Sequence, residues 1–163
     1  MNAVATHRLE GTALEAWRSY LQSHAAVVRE LDAELVAAHG MTCRDYEVLL
    51  YLAQAPDRQL PMSALATSTM LTRSGITRLV DGLVEAGWIE RASCRKDARI
   101  SYARLTDDGY RKLQQAGCTH TRSIQRLFLE HFMPDEIDQL ASLLGRLPGA
   151  GTGGSCTVDP EHQ

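Results

Sequence analysis

The hydrophobic pattern opens with a long stripe. Leu14, Trp17, Leu21, His24, Val28, Leu31, Leu35 and Ala38 follow one another at spacings of three and four, the repeat of one side of an α-helix. This predicts a helix over 14–38, ended at "HGM", where Gly40 suits a left-handed cap. A second helix is predicted from Thr42. Thr42 and Asp45 fit the S/T-x-x-D/E capping pattern ahead of Tyr46, Leu49, Leu50 and Ala53. "APDRQLP" (55–61) reads as a loop with a short strand at Gln59–Leu60. Residues 62–88 read as two helices with a tight turn at Ser68–Leu71. Ser63 is expected to cap the first, with Leu65 and Ala66 inward. Thr72 is expected to cap the second, with Ile76, Leu79, Val80 and Leu83 on one face and Gly87 at its end.

After Gly87 the period drops from 3.6 toward two. "WIERASC" (88–94) and "ISYARLT" (100–106) alternate as strands do, around a hairpin tip. Thr106 caps a further predicted helix, with Asp107 and Asp108 at its positive dipole end. Leu113, Gly117, His120, Ile124, Leu127 and His131 carry its stripe. Pro134 starts a last helix bearing Ile137, Leu140, Leu144 and Leu147. Residues 149–163 have little to bury and read as a mobile tail. The fold class is therefore mostly α: a winged helix–turn–helix of order α-α-β-α-α-β-β with further helices at both ends. Residues 41–112 form the central unit. The stripes within 10–40 and 113–147 exceed what so small a core covers, and they predict a helical dimerisation bundle.

Composition narrows the classes. With 163 residues, 44% hydrophobic and 23% charged, the chain reads as a soluble globular protein of one domain, or one domain with an appended element. No apolar run reaches the ~18–20 residues of a membrane span, and residues 1–17 lack the pattern of a secretory signal. A cytoplasmic location with no membrane partner is expected. Cys43, Cys94, Cys118 and Cys156 form no C-x-x-C pair, and nothing completes a site around Cys118 and His120. No metal or cofactor is expected. Nor is there a nucleophile elbow or a phosphate-cradling glycine loop between strand and helix, so the chain does not read as an enzyme.

Charge is partitioned. The chain carries a net −3 overall, yet residues 72–112 hold nine basic groups against six acids. A basic centre between acidic helices suggests one polyanion-facing surface. A helix fits the major groove of DNA, with its first turns nearest the base edges. Those turns would display Arg73, Ser74, Thr77 and Arg78. The hairpin would project to a neighbouring minor groove, whose negative potential favours an inserted Arg. Arg99 is the leading candidate there, with Asp97 placed to hold its guanidinium. Arg95 and Lys96 lie beside them.

"LTRSGITRLVDGLVEAGWIER", the tip "KDAR" and "LTDDG" at 105–109 resemble the MarR family of winged-helix repressors. Asp97 and Arg99 match the ends of that family's D-R-R wing triplet, and Leu105, Thr106 and Gly109 match its L-T-x-x-G. Ala98 departs from it, standing where an Arg is common. The resemblance implies a homodimer joined through its terminal helices on a pseudo-palindromic operator. It also implies a small aromatic or anionic effector bound where those helices meet the DNA-reading lobe. Trp17, Tyr20, His24, Tyr46 and Tyr51 are the groups placed to line such a cleft. His24, His120 and His131 otherwise read as hydrogen-bonded structural residues.

The expected function is a DNA-binding transcription regulator, a homodimeric repressor released by a small molecule. Two alternatives stay open. One is a thiol-based redox sensor of the same fold, using Cys43, at a helix start beside Arg44, or Cys94, beside Arg95 and Lys96. The other is a winged-helix protein-interaction module without DNA binding.

Overall fold

Three helices of this chain start on a threonine cap, Thr42, Thr72 and Thr106. In a computed structural model that describes residues 9–93 and 100–148, α1 runs Gly11–His39 and ends on Gly40 at φ +65°, whose N–H donates to the Val36 carbonyl. α2 (Cys43–Gln54) starts on the reciprocal cap expected from the sequence. Asp45 N–H donates to Thr42 Oγ1 at 3.1 Å and Thr42 N–H to Asp45 Oδ2 at 2.8 Å. A 3-10 turn (Pro56–Arg58) leads to β1 (Gln59–Pro61), then α3 (Met62–Ser68) and α4 (Arg73–Glu85). β2 (Ile89–Ser93) and β3 (Ser101–Leu105) follow, then α5 (Asp107–Leu127), a 3-10 turn (Leu129–His131) and α6 (Pro134–Leu144). The expected tail, 149–163, lies outside the described residues.

Three expectations change, the first being that α6 ends at Leu144, which leaves Leu147 beyond the last helix. Ser63 is not a cap, because α3 starts at Met62 with Pro61 in the cap position, two residues earlier. Pro61 ends β1, paired to Tyr102, and its extended backbone already supplies the non-helical geometry that a cap position requires. The helix after Thr106 ends at Leu127, not near His131. Phe128 leaves helical geometry at φ −132°, and its ring meets Phe132 edge-on at 5.4 Å. His131 is therefore on the turn, exposed.

The antiparallel sheet has the order β1-β3-β2, with Leu60 opposite Ala103 and Ile89 opposite Leu105. Pro61 sits on the edge strand, where its missing N–H breaks no central ladder. Below the sheet Leu35, Met41, Leu49, Leu52, Leu65, Ile76, Val80, Leu83, Ile89 and Leu113 are buried together. Burying such side chains contributes roughly 1.5–3 kcal/mol each before chain entropy is counted. Of the α1 stripe, only Leu31 and Leu35 join the buried residues. Trp17, Leu21 and Val28 are 51%, 45% and 41% exposed, and no residue of α6 is buried. Among the described residues, no helix is long and apolar enough to cross a membrane.

Candidate nucleic-acid interface

α4 is amphipathic in the way its sequence requires. Ile76, Val80 and Leu83 are buried, and Arg73, Ser74, Thr77 and Arg78 face outward. Together with Thr72 and Asp81 they line one open depression. Thr72 Oγ1 caps α4 by accepting from Gly75 N–H at 3.1 Å, and lies 3.2 Å from Ser74 Oγ. Thr77 Oγ1 donates to the Arg73 carbonyl at 2.8 Å. A Cβ at position 75 would sit 3.2 Å from Thr72 Oγ1. The glycine thus keeps the cap uncrowded, a reason internal to the protein that the sequence alone did not offer.

The cations around this face are not equivalent. Arg91 pairs with Asp81 at 2.6 Å, Arg104 with Glu90 at 2.6 Å, Arg58 with Asp107 at 3.2 Å and Arg44 with Glu47 at 2.8 Å. Arg111 pairs with Asp108. Arg73 and Arg78 make no ion pair with any described residue. Three of the nine basic groups counted over 72–112, Arg91, Arg104 and Arg111, are therefore neutralised locally. What α4 presents outward is two arginines whose donors no described residue uses.

Sequence reasoning missed two supports. Asp81 shares the outer face of α4, one turn beyond Thr77 and Arg78. Its pair with Arg91 ties α4 to β2 and offsets a carboxylate that would otherwise oppose a polyanion. The second support is the seat under the wing. Thr106 Oγ1 donates to the Gly87 carbonyl at 2.8 Å and accepts from Gly109 N–H at 2.9 Å, while Thr106 N–H donates to the Trp88 carbonyl at 3.1 Å. A Cβ at 109 would fall 2.1 Å from that carbonyl oxygen. The L-T-x-x-G motif is thus a clasp between the start of the wing and the start of α5. The helical cap was legible; the clasp across 18 residues was not. Cys94, Arg95, Lys96, Asp97 and Arg99 lie outside the described residues.

The five cleft candidates fall in two settings. Trp17, Tyr20 and His24 form an exposed ring ladder on α1, with centroids 6.1 and 6.3 Å apart. Tyr46 is buried, its ring 4.5 Å from that of His120, and Tyr51 is half-buried against the core. His120 Nδ1 is buried with no hydrogen-bond partner among the described residues, and burial pushes the imidazole pKa down. The hydrogen-bonded role expected of His120 is not what this geometry gives; ring packing on Tyr46 takes its place.

The redox expectation at Cys43 is corrected. Burial, and then the Asp32 carboxylate, push its thiol up to about 11, outweighing Arg44. Asp32 Oδ1 accepts from Cys43 N–H at 2.8 Å, so the helix-start amide is already used by an anion. A thiol held protonated is a poor nucleophile.

A family model described as "MarR family" matches residues 39–100. The chain is 30% identical to the HTH-type transcriptional repressor YetL of Bacillus subtilis (strain 168) over 68% of its own length and 66% of that protein's. Two solved structures from Streptomyces coelicolor superpose on it. AbsC, a MarR family transcriptional regulator, gives a TM-score of 0.80 at 29% identity, over 85% of this chain and 93% of that one. Sco3205, a MarR family regulator solved in complex with DNA, gives 0.81 at 29% identity, over 87% and 89%. The outward arginines of α4, the L-T-x-x-G clasp and these likenesses agree: the chain belongs to the MarR family of winged helix–turn–helix transcription regulators.

Proposed function

We propose that this regulator binds double-stranded DNA as a homodimer on a pseudo-palindromic operator, and represses until a small effector releases it. α4 enters the major groove. Arg73 and Arg78 contact guanines or phosphates there, and Ser74 and Thr77 contact bases or backbone. The wing follows the adjacent minor groove with Arg95, Lys96 and Arg99, supported by Asp97. The observation that carries this reading is the pair of outward arginines on α4 that make no ion pair among the described residues, while Arg44, Arg91 and Arg104 are each tied to an acid. The Sco3205–DNA complex, on the same fold, supports it.

Dimerisation is supported by the apolar surface that one chain leaves open on α1 and around α6: Trp17, Leu21, Val28, Phe132, Leu143 and Leu147. Residues 10–40 and 113–147 form that bundle and 41–112 the DNA-reading unit. Two copies joined there set two α4 helices about one DNA turn, ~34 Å, apart. The effector is a small aromatic or anionic molecule, and Tyr20 and His24, stacked and exposed on α1, are the part of the expected cleft open to it.

Selection of bound sequences from random duplex DNA tests the reading. A two-fold symmetric consensus with half-sites about ten base pairs apart is expected. Recovery of no consensus, at low salt as well as physiological salt, contradicts it.

A further inference from the structure

Three described residues other than glycine have positive φ: Asp57 at 54°, Arg58 at 51° and Met70 at 52°. This left-handed region disfavours any side chain with a Cβ, short polar Asx residues least. Asp57 belongs to that tolerant class. Arg58 gains partners for its strain: its guanidinium lies 4.0 Å from the Tyr110 ring centroid and 3.2 Å from Asp107. Met70 gains nothing comparable. It is 81% exposed, the most open of the large hydrophobic side chains described. Its neighbour Leu71 packs against the core instead. The turn itself is closed by backbone bonds, Met70 N–H to the Thr67 carbonyl and Leu71 N–H to the Ala66 carbonyl. Glycine would make the same turn without strain.

Position 70 lies between α3 and α4, three residues ahead of Arg73 and two ahead of the Thr72 cap. It stands at the end of α4 that comes nearest the bases when a recognition helix docks. The geometry points to Met70 as an apolar DNA contact: its thioether arm lies on the apolar surface of the major-groove wall beside the bases read by Arg73. This rests on the DNA-binding reading above. An unbranched, polarizable side chain suits an irregular apolar surface. Duplex DNA offers two apolar surfaces to such an arm, the thymine 5-methyl group in the major groove and the deoxyribose face.

The test uses the full-length protein and a duplex selected by the wild type from random sequence. Met70→Gly and Met70→Asn both suit the left-handed turn, so each should keep the thermal midpoint of the free protein at or above the wild-type value. Each should weaken binding by about fivefold or more, whereas Met70→Leu should stay within about twofold. Replacing thymine by deoxyuridine across the half-site then separates the two surfaces. A deficit of Met70→Gly that disappears on the uracil duplex assigns the methyl group, and one that persists assigns the sugar. Wild-type affinity in Met70→Gly and Met70→Asn overturns the contact and leaves DNA binding intact. Equal loss in all three variants, Leu included, also overturns it. Failure of the wild type to select any sequence removes the DNA-binding reading itself, and the contact with it.

Discussion

At position 109 a hydrogen must stand where other residues carry carbon. A Cβ there would meet the Trp88 carbonyl oxygen at 2.1 Å and Leu105 Cδ1 at 2.8 Å, and a backbone oxygen cannot swing aside as a side chain can. Gly109→Ala should cost about 1–3 kcal/mol of unfolding free energy, or more. Urea denaturation reads this directly, and an unchanged midpoint contradicts it. Cys43 makes the opposite lesson. Sequence adjacency to Arg44 suggested an activated thiol, but Asp32 lies 11 residues away in the chain and only the fold brings it near. Cys43 should resist iodoacetamide at neutral pH while exposed Cys118 is labelled. Peptide-level mass spectrometry decides this; equal labelling of the two would restore the redox alternative at Cys43.

At the scale of elements, what was legible in the sequence was what is local. Thr42 with Asp45, Thr72 and Thr106 each cap a helix from within four residues, and Gly40 ends one from the next position. Contacts across elements were not legible. Arg91 reaches Asp81 on α4, and Arg104 takes Glu90 across the strand pair. Glu34 of α1 accepts from both Ser123 and Arg126 of α5, a tie that no spacing announces. Thr106 stands between the two classes: its cap is local, its bond to the Gly87 carbonyl is not. Thr106→Ser should therefore be mild and Thr106→Ala should cost about 1–2 kcal/mol in chemical denaturation. Indistinguishable losses in the two variants would show that the hydroxyl is not what holds the clasp.

At the scale of the whole molecule, α1 leaves Trp17, Leu21 and Val28 open and the segment around α6 leaves Phe132, Leu143 and Leu147 open, apolar side chains that a second copy would cover. Sedimentation should give a dimer at micromolar concentration, and Leu21→Glu with Val28→Glu should shift it toward monomer. The buried His120 adds a pH dependence. Its pKa is lowered in the fold by burial from the ordinary 6.5, so the unfolded chain binds more protons near that value. The stability involved is present above about 6.5 and is lost as pH falls from there through the lowered folded pKa. The urea midpoint should drop on acidification through that range. His120→Phe should flatten part of the slope; His39, also lowered, contributes in the same direction.

The central claim is that the two outward arginines of α4 grip DNA. Fluorescence anisotropy on the selected duplex, for wild type, Arg73→Ala and Arg78→Ala across a salt series, tests it most directly. The account predicts a loss of about 1–3 kcal/mol for a variant whose arginine reads a base, and a salt slope shallower by about one for a variant whose arginine holds a phosphate. Wild-type affinity and an unchanged slope in both variants would contradict it.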